Sequence, residues 1–193
     1  MRAIWTRLAP GIAALALVLA SGAANAACDV MTGGGFIINN GAQANFGVAG
    51  GCKDGMPTFG HLEYIDHGVS LNVHWTSITA YQFESDGTDS KGRPTGSRFI
   101  CGKARTNLPP PNDDNVDFAV RANDTGEPGT TDEFDIQLTK GGVLVYTTNF
   151  NFVPGHAHKL NDGAGGGGNI QLHKPTAGNF SPDSCPARSA FIA

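Results

Sequence analysis

The chain has 193 residues, of which 13 are basic and 17 acidic, and its formal net charge at pH 7 is −4. Its Lys and Arg residues are scattered, so the chain lacks the basic footprint that binding to nucleic acid or anionic lipid requires. The length favours a single domain. The 27 glycines are spread along the chain, and after residue 26 no segment keeps apolar residues at i, i+3 and i+4, which argues against helices of useful length.

The first 26 residues have the pattern of a cleaved export signal. Arg2 and Arg7 form a positive region, GIAALALVLA at 11–20 is a short apolar core, and Ala24-Asn25-Ala26 fits the cleavage pattern. The apolar core is too short for a membrane anchor, which needs about 20 residues. Cys28 raises the alternative of a lipid anchor, but Asn25 stands where such sites carry an aliphatic residue. We therefore expect a secreted or periplasmic protein that does not insert into the membrane.

The first half of the mature chain predicts strands joined by polar or glycine-rich loops. Asn40-Gly41 between two apolar stretches predicts a hairpin, because this dipeptide readily adopts positive φ in a tight turn. A period of two along 70–83, with one side more apolar than the other, indicates a half-buried antiparallel strand. Further strands are expected at about 61–66 and 97–106, and loops at 47–60 and 84–96.

The second half predicts more strands and a C-terminal tail. Alternation is clearest at 116–122 and 133–139, and Lys140-Gly141-Gly142 turns the second of these into a strand at 143–148. A loop at 149–168 precedes a short strand at 169–173. We expect one β-rich domain over 27–174, with a tail at 175–193. Eight to ten short strands of this kind predict an antiparallel β-sandwich or a partly closed barrel.

Four cysteines in an exported chain predict two disulfides, for which three pairings are possible. Cys28 and Cys52 lie at about equal distances from the Asn40-Gly41 turn, so the arms of that hairpin can bring them face to face. Cys101 would then pair with Cys185. Partial oxidation or a free thiol is the alternative. The chain has no CxxC pair that would indicate a metal site.

Six ordered motifs cover nearly the whole mature chain. They are TGGGFI at 32–37, ANFGVAG at 44–50, GHLEYIDHG at 60–68, NVHWTSIT at 72–79, DTGEPGTTDEFDIQL at 124–138 and GGNIQLHK at 167–174. Together they resemble the post-COAP domain, a small secreted bacterial module often found after choice-of-anchor repeats. The resemblance implies an exported β-rich module, free-standing or appended to surface proteins, and it brings no enzymatic activity with it. The segment 149–160, with His156 and His158, departs from the family pattern.

The histidines and carboxylates near 60–74 form a candidate transition-metal site. The strand pair offers His61, Glu63, His67 and His74. A second source of ligands is the pair His156 and His158, which share a face if their segment is extended. Imidazole and carboxylate ligands suit zinc or copper. The alternative is that these histidines hydrogen-bond within the sheet, with Tyr64 and Trp75 packed around them.

An acidic loop at 124–133 is a candidate calcium site. Asp124, Glu127 and Asp132 supply oxygen ligands, of which calcium takes six to eight. Their spacing matches no EF-hand. The alternative is a solvated loop in which Asp124 accepts hydrogen bonds from backbone donors.

Sequence signatures of enzymes are otherwise missing. The chain has no GxSxG elbow, phosphate loop, dinucleotide fingerprint or HExxH. Glu63 and Asp66 fall on opposite faces of an alternating strand, which argues against a glycosidase pair. Four aromatic residues are candidates for a sugar-stacking platform, although about half of them should be core: Tyr64, Trp75, Tyr81 and Phe83.

Two functions from different classes are therefore expected. The first is a non-catalytic extracellular module that binds a surface protein or a glycan or serves as a structural appendage. The alternative is a periplasmic or secreted protein that binds metal through its histidines, or a metalloenzyme.

Overall fold

The computed structural model describes residues 28–53, 56–161, 167–175, 180 and 185–188. The candidate export signal at 1–26 lies outside these residues. Within the described part of the chain, no helix has the length and apolar character needed to cross a membrane.

Nine strands form one antiparallel sheet that curls into a half-barrel. In chain order the strands are β1 (Val30–Asn39), β2 (Ala42–Lys53), β3 (Met56–Asp66), β4 (Leu71–Thr88), β5 (Pro94–Thr106), β6 (Val116–Asp124), β7 (Glu133–Lys140), β8 (Val143–Thr147) and β9 (Gly167–Leu172). The first eight strands follow one another as a meander, and β9 returns to pair with β1. Short 3-10 helices occur at Phe150–Phe152 and Pro186–Arg188. The predicted all-β antiparallel fold is confirmed, as a single curled sheet.

The glycine-rich segment predicted as a loop at 47–60 belongs mostly to β2 and β3. Its glycines permit close packing. A Cβ on Gly50 would lie 2.7 Å from the side chain of Ile100, and one on Gly51 would lie 2.8 Å from the carbonyl oxygen of Asp29. The loop prediction is wrong because these glycines mark close approaches inside a sheet rather than turns.

The polar segment 84–96 is also mostly strand, because β4 runs to Thr88 and β5 starts at Pro94. The register between these strands shifts at three places along β4. Such bulges bend a strand and increase its twist, so a long hairpin can follow the curvature of the half-barrel. They also break the period of two: the consecutive residues Ala80 and Tyr81 are both fully buried.

The concave side of the sheet holds the main apolar core. Phe46 on β2 stacks on Phe134 on β7, with ring centroids 3.9 Å apart, and Tyr64 on β3 lies 6.0 Å from the same ring. Because β2 and β7 are far apart in the order of the sheet, these contacts cross the interior of the barrel. Stacked aromatic pairs contribute about 0.5–1.5 kcal/mol beyond the area that they bury.

A second apolar cluster lies on the convex side, where the C-terminal segment covers β4 to β7. Ala80, Phe99, Cys101 and Ala119 pack there against Phe152 and Ala187. Ala187 is fully buried, and its carbonyl oxygen accepts a hydrogen bond from Gln137 Nε2 at 2.6 Å. The described residues of the segment predicted as a tail are therefore part of the fold.

The cysteines pair as predicted. The Cα atoms of Cys28 and Cys52 are 5.8 Å apart, and those of Cys101 and Cys185 are 5.6 Å apart. The first pair extends the β1–β2 ladder, in which Val30 faces Gly51. The sulfur of Cys28 is thus committed to a disulfide. Two disulfides suit an oxidising extracellular or periplasmic environment.

Candidate functional site

The histidine and glutamate of the central strand pair lie on the exposed convex face. Glu63 on β3 faces His74 on β4, and His74 Nδ1 contacts Glu63 Oε1. Their side chains are 52% and 45% exposed. His61 is exposed two residues earlier on β3, and His67 follows in the turn, where its Nε2 lies 2.9 Å from Asn45 Oδ1. The alternative expected backbone and hydroxyl partners for these histidines, whereas His74 contacts a carboxylate and His67 an amide oxygen.

His156 and His158 lie beside β7, in the loop after the first 3-10 helix. The backbone N–H of Phe134 donates to the carbonyl oxygen of His158, which aligns this segment with the start of β7. His158 Nδ1 lies 2.7 Å from Asp135 Oδ1, and the carboxylate of Asp135 is fully buried. His156 is exposed.

These placements do not bring the residues of the predicted transition-metal site together. Among the residues that the structure describes, no three His, Cys, Asp or Glu side chains are grouped so that they could hold a metal ion. The physical reason is the sheet order, which places β4, β5 and β6 between β3 and β7. The strand set His61, Glu63, His67 and His74 is thereby separated from the loop pair His156 and His158.

Two of the predicted calcium ligands, Asp124 and Asp132, join β9 to the loop between β6 and β7. We call this junction the seam of the half-barrel. Asp132 Oδ2 accepts a hydrogen bond from the backbone N–H of Ile170 at 2.8 Å, and Asp124 Oδ2 accepts one from Leu172 at 2.7 Å. Both donors lie on β9. The other carboxylate oxygens bind the N–H groups of Thr125 and Gly126 within the loop. Two carboxylates thus join β9 to the β6–β7 loop.

The alternative to the calcium site describes an Asp124 that accepts hydrogen bonds from backbone donors, and such bonds are present. Glu127 is exposed and lines the same recess as Asp124, with Asn169 Nδ2 at 3.4 Å from its carboxylate. Burial raises the pKa of Asp124 and of Asp132, and nearby carboxylates raise it further. The hydrogen bonds from backbone N–H groups lower the pKa of both residues, but by less. The three side chains therefore do not assemble as a group of calcium ligands.

A polar recess of about 200 Å³ opens beside the seam, between the β4–β5 turn and the end of β9. Asp89 lines it, and its carboxylate accepts hydrogen bonds from the backbone and the side chain of Arg93. These hydrogen bonds lower the pKa of Asp89, and the bond from the backbone N–H of Arg93 has the largest effect. His173 Nε2 lies 2.9 Å from Thr32 Oγ1. The polar groups of this recess thus stabilise the local turns and strand ends.

The four aromatic residues proposed as a sugar platform do not form one. Tyr64 and Tyr81 are fully buried, and Trp75 packs against the core. Phe83 is 43% exposed, and its ring packs edge-on against Phe180 at 5.7 Å. The tyrosine hydroxyls serve buried networks: Tyr64 lies 2.7 Å from Tyr146, which donates to Asp66.

Asp66 is the acceptor of a polar network at the end of β3. Asn39 donates to the same carboxylate at 2.9 Å, and the N–H of Gly68 donates at 2.7 Å. Burial favours the neutral form of Asp66, but these hydrogen bonds outweigh it and hold its pKa below the usual value. Glu63 is exposed on the other face, so the prediction that Glu63 and Asp66 point apart is confirmed.

Sequence reasoning missed a buried ion pair between Asp29 and Arg98 near the start of the described chain. Tyr81 also binds Asp29, and we call these three residues the N-terminal clasp. Arg98 is 1% exposed. Its Nε donates to Asp29 Oδ1 at 3.1 Å, and its Nη2 donates to Asp29 Oδ2 and to Asp86 Oδ1. Tyr81 donates to Asp29 at 2.6 Å. Burial lowers the pKa of Arg98, and the bonds to Asp29 and Asp86 outweigh this and raise it.

A signal for this clasp was present in the sequence. Arg98 stands two residues before Ile100, on the side of β5 that faces the core, and a charged residue at such a position needs a buried partner. The rings of Phe83 and Phe180 lie 5.0 and 5.2 Å from the guanidinium carbon. The sequence could not identify Asp29 as the partner because the two residues are distant along the chain.

A second recess, of about 250 Å³, lies on the convex side between β4, β6 and β7 and the loop at 152–157. Arg121 forms its floor, with Nε 2.7 Å from Glu84 Oε2 and a terminal nitrogen 2.8 Å from Glu133 Oε2. Apolar residues of the loop form the opposite wall: Phe152, Val153, Pro154 and Ala157. We call this the side recess. It combines charged groups with an apolar wall.

Comparisons of the chain with protein-family models, with curated proteins and with solved structures each found no match.

Proposed function

We propose that the chain is an exported, non-catalytic β-module that serves as a binding or structural domain outside the cytoplasm. The observation that carries this proposal is the use made of the buried carboxylates. Among the residues that the structure describes, six aspartates are buried, and each accepts hydrogen bonds or an ion pair from groups that hold strands and turns together: Asp29, Asp66, Asp117, Asp124, Asp132 and Asp135. Asp29 and Asp124 also line recesses, but both oxygens of each carboxylate already accept hydrogen bonds from the protein. A catalytic acid or base would instead keep an oxygen within reach of the substrate.

Export is supported by the signal pattern at 1–26 and by the two disulfides. The six ordered motifs support membership of the post-COAP family. They occupy β1, β2, β3, β4, the β6–β7 region and β9, so the resemblance extends over most of the sheet. We propose a protein partner rather than a glycan, because the candidate aromatic residues are buried or packed against neighbours.

The proposal is tested by expressing the full chain in a bacterium and recovering it from the cytoplasm, periplasm and medium. We expect the exported form to begin at Ala27 and to contain the Cys28–Cys52 and Cys101–Cys185 disulfides, as shown by N-terminal sequencing and non-reducing peptide mapping. A matched chain with Ala26→Pro should keep its leader, because proline next to the cut blocks processing. An unprocessed, reduced protein confined to the cytoplasm would overturn the proposal.

A further inference from the structure

We infer that the side recess receives the side chain of a lysine or arginine from a basic segment of a partner protein. This inference rests on the proposed function, because it names the partner chemistry of a binding module. Three features of the recess support it: its net charge, its apolar wall and its size.

The charge of the recess favours a cation. Glu84 and Glu133 are 29% and 19% exposed and share the single guanidinium of Arg121, which is 17% exposed. Two carboxylates against one guanidinium leave one negative charge. The hydrogen bond from Arg121 Nε to Glu84 uses Oε2 of this carboxylate, so its Oε1 can accept from an incoming donor. A partly desolvated carboxylate attracts an ammonium or guanidinium group more strongly than an exposed one.

The wall of the recess suits an aliphatic stem. Phe152 is 7% exposed and anchors the loop through an edge-to-face contact with Phe99 at 5.0 Å. Val153 is 43% exposed at the rim, which leaves an apolar side chain in contact with solvent. Lysine and arginine bury their methylene stems on apolar surface while the charged head finds a polar partner. A recess of about 250 Å³ has room for one such side chain.

The position of the wall is fixed by hydrogen bonds. Asn149 Oδ1 accepts from the N–H of Val153 at 3.0 Å, and Asn149 Nδ2 donates to the buried Asp135 at 3.2 Å. The N–H of Asn151 donates to Gln137 Oε1 at 2.9 Å. Because β7 holds the loop at several points, the recess exists before a ligand arrives, and less free energy is lost in ordering it.

The test uses the oxidised protein and two small probes: Nα-acetyl-lysine methylamide and its norleucine analogue, which lacks the amine. Amide shifts in two-dimensional NMR report binding. We expect the lysine probe to shift the amide signals of residues 84, 121, 133, 152, 153 and 155–157 saturably, the norleucine probe to bind more weakly, and added salt to reduce the difference. Equal binding of the two probes, or shifts confined to other acidic surfaces, would overturn the inference.

Variants locate the site. Glu84→Gln keeps the shape of the side chain and removes its charge, and we expect binding of the lysine probe to weaken about threefold. Val153→Ser removes the apolar rim and should weaken both probes. Glu63→Gln, on the convex face of β3, is the matched control and should leave binding unchanged. If Glu63→Gln weakens binding as much as Glu84→Gln, the attraction is a general effect of charge and the inference fails. Correct export and disulfide pairing would still support the proposed function in that case.

Discussion

The two ends of the described chain are fastened in different ways. At the N-terminal end, the Cys28–Cys52 disulfide adjoins the clasp of Asp29, Tyr81 and Arg98, all of them buried. At the C-terminal end, the Cys101–Cys185 disulfide holds a short segment on the convex surface, where Cys185 is partly exposed and Arg188 lies 3.9 Å above the ring of Phe99. We call the second arrangement the C-terminal latch. The first belongs to the interior of the barrel, and the second covers a face that the sheet has already formed.

This difference indicates where the free energy of folding is concentrated. Removing one partner of a buried ion pair leaves an unpaired charge in a medium that solvates it poorly. Removing a contact on the surface exposes its partner to water, which replaces much of what was lost. The N-terminal clasp should therefore tolerate substitution less well than the C-terminal latch.

The largest effect is expected from Arg98→Ala. It leaves Asp29 buried without its guanidinium partner, and the free energy of unfolding should fall by about 3–5 kcal/mol. Urea denaturation followed by tryptophan fluorescence measures this loss. The double variant Asp29→Leu with Arg98→Met should be more stable than Arg98→Ala, since no charge remains buried. A loss below about 1 kcal/mol in Arg98→Ala would contradict the role assigned to the clasp.

The disulfides provide the next comparison. The chain-entropy model gives about 3.5 kcal/mol for the 24-residue separation of Cys28 and Cys52, and about 4.5 kcal/mol for the 84-residue separation of Cys101 and Cys185. We expect the opposite order in experiment: changing Cys28 and Cys52 to alanine should lower the free energy of unfolding more than changing Cys101 and Cys185. Without its disulfide, the C-terminal segment can leave the surface while the sheet stays folded, and the native state regains entropy. Denaturation of the two double variants under identical conditions tests this, and a larger loss for the C-terminal pair would contradict it.

Substitutions at the seam should cause an intermediate loss of stability, and this loss should depend on pH. Asp132→Ala leaves the buried N–H of Ile170 without its acceptor, which costs about 1–3 kcal/mol. In the wild type, the raised pKa of Asp132 means that the carboxyl favours the folded state when protonated. This contribution is fully present below the usual pKa near 3.8 and is lost as pH rises through the raised pKa.

Thermal melts between pH 3 and pH 7 measure this dependence. Relative to wild type, Asp132→Asn should lose the pH-dependent part, because its amide does not titrate. A wild-type profile that gains stability from this residue as pH rises would contradict the sign. Asp117→Asn is a useful control, because that carboxylate pairs with Lys103 rather than with the seam.

The smallest effect is expected in the C-terminal latch. Arg188→Gln removes the cation that lies over Phe99, at a cost of about 0.5–1 kcal/mol for an exposed contact of this kind. The melting temperature should fall slightly and the overall fold should remain. A loss as large as that of Arg98→Ala would show that the latch belongs to the core.

Local patterns in the sequence predicted what depends on near neighbours. Alternation located most strands, and the Asn40-Gly41 turn placed Cys28 opposite Cys52. The glycines near Gly50 were misread as a loop because their purpose depends on Ile100, which belongs to a distant strand. A short sequence window contains no information about such a partner.

The candidate sites were harder to predict because they depend on curvature and register. The sequence placed His61 and Glu63 together correctly but could not show that three strands separate them from His158. It identified Asp124 and Asp132 as neighbours in an acidic loop, yet their partners are N–H groups of β9, which returns from the end of the chain. The side recess combines residues of three strands and a loop, and no single segment indicates it.

The two disulfides also determine how the protein would respond to a mechanical load. When the chain is pulled between residues 28 and 185, the covalent path runs from Cys28 to Cys52, along the chain to Cys101, and across to Cys185. Only the segment between Cys52 and Cys101 can extend, to about 170 Å at full stretch. The β1–β2 hairpin and the strands β6 to β9 lie outside this path. An oxidised module of this design would lengthen by about a third as much as its reduced form.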